Sequence, residues 1–214
     1  MGDLATDTPR GLPRGRHAAS REVVADSQKS RLIAAMTKVA AEKGYARTTV
    51  VDVVSEAGVA KPTFYEHFAD KQACLIAAYD AAIEQMMLAA SAALSSEGQS
   101  AERIENGVTA LLEFVAGSEP QARIILIEIV GAGPAAVAHM KATHAMLADT
   151  YVALREEVRK TWPDYPPLTR LQGLAVVGAI TEPISAVLIN DGAAAVRALT
   201  PEIVAVVTSL SLPQ

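Results

Sequence analysis

The side chains that carry most protein chemistry are sparse in this chain and poorly spaced for catalysis. The four histidines are His17, His67, His139 and His144. His139 and His144 stand five residues apart, whereas two metal ligands on one helical face need a spacing of about four. No histidine has a nucleophile at a spacing that would form a local catalytic pair. Cys74 is the only cysteine, which excludes an intrachain disulfide and a Cys-rich zinc or iron–sulfur site, and fits a reducing, cytoplasmic setting. No Gly-rich phosphate loop follows a strand pattern. Glu128 and Glu182 are acids within apolar stretches, and only folding could make them a carboxylate pair. These residues predict no catalytic group, no metal site and no cofactor, so the function expected is not enzymatic.

The periodicity of the first third points to recognition instead. Leu32, Ile33, Met36, Val39 and Ala40 mark one face of a helix that Gly44 ends. Thr49 and Asp52 have the spacing of a capping box, Val50, Val53, Val54 and Ala57 form the stripe behind it, and Gly58 supplies a positive-φ stop. After the turn Gly58-Val59-Ala60, a third short helix opens with Pro62 in its first turn and carries Thr63, Phe64, Tyr65 and His67. Two short helices joined by a tight Gly-containing turn make a helix-turn-helix.

The rest of the chain reads as helices. Asp70 caps a long one through Leu94, Ser100 opens the next, and Ser118 with Gln121 predicts a second capping box before Ile124, Ile125, Ile127 and Ile129. Pro134 opens a helix with Val137, Met140, His144, Leu147, Tyr151, Leu154 and Val158 in a heptad-like seam. An apolar helix ends at Asn190, and Thr200-Pro201 opens the last. No strand pattern is found, so the fold expected is all-α. The 214 residues divide into a basic arm without apolar period (1–25), a helix-turn-helix domain (26–70) and a helical body (71–214). Within the arm, Pro13-Arg14-Gly15-Arg16 is either a minor-groove element or a solvated tail.

Net charge is −5, yet residues through Leu75 carry 11 Lys/Arg against 9 Asp/Glu while the remainder carries 8 against 15. A basic head on an acidic body divides the labour between an anionic partner and something else. The longest apolar stretch, Leu171 to Asn190, contains Gln172, Glu182 and Pro183, which argues against a membrane span and for no membrane partner.

Arg31-Leu32-Ile33-Ala34-Ala35, Ala41-Glu42-Lys43-Gly44-Tyr45, Thr48-Thr49-Val50, Ala57-Gly58-Val59 and Thr63-Phe64-Tyr65-Glu66-His67-Phe68 with Lys71 together resemble the TetR family of transcriptional repressors. The resemblance covers about 45 residues. It implies an N-terminal three-helix DNA-binding domain, a helical ligand-binding and dimerisation domain, and a homodimer whose third helices enter successive major grooves of double-stranded DNA. By the same resemblance Lys61, Pro62 and Thr63 face base edges, Tyr65, His67 and Lys71 meet phosphates, and Thr49 is either a cap alone or a phosphate contact as well. Lys61 is the residue able to donate to guanine O6 and N7. Phe64, Phe68 and Cys74 are expected in the core. A helix-turn-helix activator or a broad architectural DNA-binding protein would use the same elements.

Departures from the family pattern carry their own expectations. Met36 and Ala40 exchange volume within one core. Ala60 stands where a serine often caps the third helix, so that helix lacks a side-chain cap. In the body, polar residues on apolar faces mark a small-molecule effector site, with Glu128, Met140 and His144 as candidates and a satisfied core contact as the alternative for each. Few aromatics and several methionines, among them Met86 and Met87, predict a mainly aliphatic pocket that reports to the head through the helix from Asp70 to Leu94.

Overall fold

The computed structural model describes residues 21–94, 100–161, 163 and 165–211. Among these there is no strand. The helices are α1 (Arg21–Lys43), α2 (Val50–Ala57), α3 (Lys61–His67), α4 (Lys71–Leu94), α5 (Ser100–Gly117), α6 (Glu119–Arg123), α7 (Pro134–Thr161), α8 (Arg170–Asn190) and α9 (Thr200–Ser211). Helix α6 runs into a π-helical turn (Ile124–Glu128) and a 3₁₀ turn (Val130–Ala132), and a longer 3₁₀ segment (Ala193–Leu199) precedes α9. Residues 21–25, expected in the arm, instead form the start of α1. Pro13 to Arg16 lies outside the described residues.

The punctuation read from the sequence holds at most boundaries. The Thr49 hydroxyl accepts from the Asp52 N–H while the Asp52 carboxylate accepts from the Thr49 N–H, closing the box at the start of α2. Gly58 ends α2 at φ 63°, where a Cβ would be strained. Asp70 Oδ1 accepts from the Ala73 N–H at 2.8 Å and opens α4. Ser118 is a correction: its ψ of 54° departs from the extended conformation of a capping residue, and its side chain makes no cap bond. The box that does form is Thr169 with Gln172, at the start of α8.

Two hydrophobic cores result. The first joins α1, α2 and α3 to α4 through Leu32, Met36, Val53, Phe64 and Tyr79, and extends into the body at Ile124, Ile125 and Ile129. The head is therefore not sealed at residue 70. Met36 and Ala40 are both fully buried there, consistent with exchanged volume. The second core lies among α5, α8, α9 and the 3₁₀ segment, around Leu112, Val176, Ile184, Leu188 and Val196. Leu111, Phe114 and Leu126 pack against both. Helices α7 and α8 approach so closely that a Cβ on Gly173 would stand 2.8 Å from the Ala148 carbonyl oxygen.

The composition argument against a membrane span needs correcting. Lys71–Ser91, Arg170–Asn190 and Ala193–Ser211 are long and apolar enough to cross a bilayer, despite Gln172, Glu182 and Pro183 in the second. Only 28% of the α8 span and 22% of the last span are buried within the chain, so both leave apolar surface without an internal partner. On α8 seven of the exposed residues, Leu171, Leu174, Ala175, Gly178, Glu182, Ala186 and Ile189, recur at the three-and-four spacing of a single face.

Candidate nucleic-acid interface and apolar cavity

Helices α2 and α3 and the turn at Gly58–Ala60 form the helix-turn-helix. Helix α3 has seven residues and no side-chain cap, as Ala60 predicts. A helix this short is marginal by itself. Its anchor is Phe64, fully buried, with the Phe68 ring 5.7 Å away and the Tyr65 ring edge-on at 5.4 Å. Both phenylalanines are core residues, as expected. The opposite face leaves Lys61, Pro62 and Tyr65 exposed and Thr63 half-buried. His67 is partly covered, and its Nε2 is buried without a hydrogen-bond partner.

Thr49 and Lys71 are more engaged than the sequence shows. The Thr49 hydroxyl donates to Asp52 Oδ2 at 2.6 Å, so its single proton is already committed to the cap. Lys43 beside Asp52, helped by the two Thr49 bonds, holds the Asp52 carboxyl down to about 2. Lys71 Nζ donates to the Tyr45 and Thr48 carbonyls, each at 2.9 Å, and sits 4.1 Å from the Tyr45 ring centroid. Burial lowers its pKa. An ammonium has three donors, so these two bonds leave one for an anion.

In the body, an apolar cavity with about 180 Å³ of free space lies between the two cores. Its wall includes Ile83, Met86 and Met87 of α4, Ile125 and Leu126 of the π-helical turn, and Ile180 of α8. The polar groups on it are His144, Tyr151 and Thr181, and no Lys, Arg, Asp or Glu is among its described lining residues. Thr181 bonds the Val177 carbonyl and Tyr151 is hydrogen-bonded to Ser211. Burial lowers the His144 pKa from its ordinary value, favouring the neutral imidazole. Of the three candidates, only His144 reaches this cavity. Met140 packs against the first core, and Glu128 is buried against the head, with Tyr45 N–H donating to Oε2 at 2.7 Å. Glu182 is exposed on α8 and shares no hydrogen bond with Glu128 among the described residues. Cys74 is a core thiol, fully buried and pushed up to about 12 by burial, and so is inert near neutral pH. The π-helical turn and the roles of Tyr151 and Thr181 escaped sequence reading, because nothing local marks a run of isoleucines as a cavity wall.

The His144 shift carries a pH prediction. A histidine whose folded pKa lies below its unfolded value of about 6.5 lets the unfolded chain take up the proton first, so stability falls as pH drops below ~6.5. His144→Gln removes this component. Thermal midpoints measured from pH 7.5 to 5 should therefore decline less steeply in the variant, and parallel curves would contradict the assignment.

Residues 32–78 match the family model described as bacterial regulatory proteins, tetR family. The transcriptional activator FasR of Mycolicibacterium smegmatis is 25% identical over 128 residues, which cover 58% of each chain. The match thus spans less than two thirds of that relative. Among solved structures, the transcriptional regulator FadR from Bacillus subtilis in complex with stearoyl-CoA superposes with a TM-score of 0.73 at 20% identity, over 84% of this chain and 97% of that one. The fatty acid degradation regulator FadR from Bacillus halodurans gives 0.68 at 18%, over 84% and 94%. These two likenesses extend the shared fold well beyond the helix-turn-helix. With its capped α2, glycine turn and phenylalanine-anchored α3, the segment 32–78 carries a helix-turn-helix domain of the type that the tetR family model of bacterial regulatory proteins describes.

Proposed function

We propose that this protein is a cytoplasmic, homodimeric transcriptional regulator that represses by binding a palindromic operator and is released by a small, mainly apolar effector. The observation that carries this reading is the pairing of an exposed Lys61-Pro62-Tyr65 edge on α3 with an aliphatic cavity whose wall includes α4, the helix that follows α3 directly. Domain limits near 26–70 for the head and 71–214 for the body suit that division, with residues 124–136 shared between them. The exposed α3 edge and the aliphatic cavity support a regulatory role. The α8 and α9 faces are read as the seam with a second copy, not as a membrane contact, because two such helices from each subunit can complete a bundle.

The cavity's lining favours an uncharged, aliphatic occupant. An enclosed carboxylate would lack a cation there and would face a histidine that favours neutrality, at a desolvation cost of several kcal/mol. The part of the effector inside is therefore an uncharged aliphatic chain, with any charge outside. Stearoyl-CoA, bound by the Bacillus subtilis FadR, has that character and is the probe of choice against free stearate. If the filled state prefers the DNA-free arrangement a hundredfold, it shifts the equilibrium by about 2.7 kcal/mol. Operator DNA must then weaken effector binding by the same factor. Equal probe affinity with and without operator would remove that molecule as the inducer.

Two substitutions separate readout from attachment on the head. Lys61→Ala should relax base preference, costing about 1–3 kcal/mol on the cognate sequence and much less on random duplex. Lys71→Ala should weaken binding on every sequence and reduce the salt slope by about 0.9 if its third donor meets a phosphate. Titrations of both variants at several salt concentrations check this. An unchanged slope for Lys71→Ala would confine Lys71 to bracing Tyr45 and Thr48.

A further inference from the structure

The π-helical turn Ile124–Glu128 belongs to two structures at once. Ile125 and Leu126 line the cavity, while Glu128, at its end, is 8% exposed and reaches the head. Its Oε2 accepts the Tyr45 N–H at 2.7 Å, across 83 residues of sequence. Tyr45 follows Gly44, whose φ of 83° turns the chain out of α1. The Tyr45 and Thr48 carbonyls then take the two Lys71 bonds, and the next residue, Thr49, caps α2. One unbroken series of contacts thus runs from the cavity wall to the helix-turn-helix. It meets α4 only at Lys71, the first residue of that helix.

The second oxygen of Glu128 is poorly held. Oε1 stands 3.4 Å from Arg123 Nη2, and Arg123 Nε is buried with no hydrogen-bond partner. A guanidinium and a carboxylate favour two parallel bonds, so this pair is half made, while the other oxygen serves the Tyr45 N–H. Wide π-turns can adjust their hydrogen-bond register, and they occur often at functional sites. One buried carboxylate thus divides its two oxygens between a backbone N–H of the head and a guanidinium of the body, and a shift of the turn changes the balance between them.

We infer that Glu128 is the positioning residue through which the cavity controls the head: with the cavity empty it divides its two oxygens between the Tyr45 N–H and Arg123, and pressure on Ile125 and Leu126 draws it fully onto Arg123 and frees the turn before α2. This rests on the proposed effector-responsive function and names the route by which the effector acts. The competing interpretation is a static structural bond, indifferent to what fills the cavity.

The test requires neither the operator nor the effector. Ile180→Trp fills the cavity from the α8 side, with Ile180→Phe as a milder version should the larger ring unfold the chain. Amide exchange at Tyr45 is followed by NMR in the full-length wild type, Glu128→Gln, the filled variant and the double variant. Loss of a charge-assisted bond should speed Tyr45 exchange roughly tenfold or more. The inference expects that acceleration in Glu128→Gln and in the filled variant, and no further acceleration in the double variant. Tyr45 exchange unchanged by filling, or accelerations that multiply in the double variant, would overturn it. Stearoyl-CoA titration of the wild type runs alongside. A probe that fails to bind while Tyr45 responds to Ile180→Trp rejects the effector class and leaves the coupling in place.

Discussion

Phe64→Ala is expected to abolish DNA binding on cognate and random duplex alike, while leaving most of the helical body folded. Phe64 is fully buried in the core that α3 shares with α1, α2 and α4. Truncating a buried phenylalanine costs about 3–5 kcal/mol, against a total of about 5–15 kcal/mol for a typical domain. A seven-residue helix without a side-chain cap has no reserve of its own to offset that loss. Circular dichroism should show a small decrease in helicity, thermal unfolding a markedly lower first transition, and titration no specific complex. Phe64→Leu, which keeps most of the volume, should recover much of the affinity. A Phe64→Ala protein with normal melting and normal DNA affinity would show that α3 is held by something else.

The second large effect concerns the proposed seam between copies. Gly178 lies in the exposed face of α8, and a Cβ built there meets nothing within 4 Å. Within one chain, Gly178→Leu is therefore harmless and even favourable, since glycine is about 0.8–1 kcal/mol worse than alanine inside a helix. In a two-fold dimer packed through that face, the added side chain enters the interface twice. Overpacking at about 1–3 kcal/mol per site should then weaken dimerisation by roughly one and a half to four orders of magnitude. Sedimentation velocity should show monomer at concentrations where the wild type is dimeric, with the monomer's melting temperature maintained. An unaltered dimer would move the seam away from Gly178.

The head was legible because its signals are local. Thr49, Asp52, Gly58 and Asp70 act within one helical turn of themselves, and the apolar spacing around Phe64 and Phe68 follows from a 3.6-residue period. Thr169 and Gln172 carry the same kind of local signal and were readable in principle. Ser118 and Gln121 show its limit: the spacing is present, but the backbone enters α6 at a ψ that takes the hydroxyl out of place. Glu128 illustrates what no local pattern carries. An acid in a run of isoleucines reads equally as a ligand contact or a satisfied core group, and its partner is a backbone N–H 83 positions away. Lys71 looked like a free phosphate contact because carbonyl groups leave no mark in a sequence. His144 lines the cavity, whereas Met140, one turn earlier on the same seam of α7, packs against the first core.

The central claim is that two copies of this chain present α3 to adjacent major-groove turns, and repeated selection from a pool of random duplexes tests it most directly. The full-length protein at moderate salt should enrich an inverted repeat whose half-sites are centred about 34–36 Å apart, or one helical turn of DNA. Lys61→Ala should enrich a more degenerate version of the same repeat. Failure to converge on any sequence, or convergence on a single half-site without symmetry, would contradict the account.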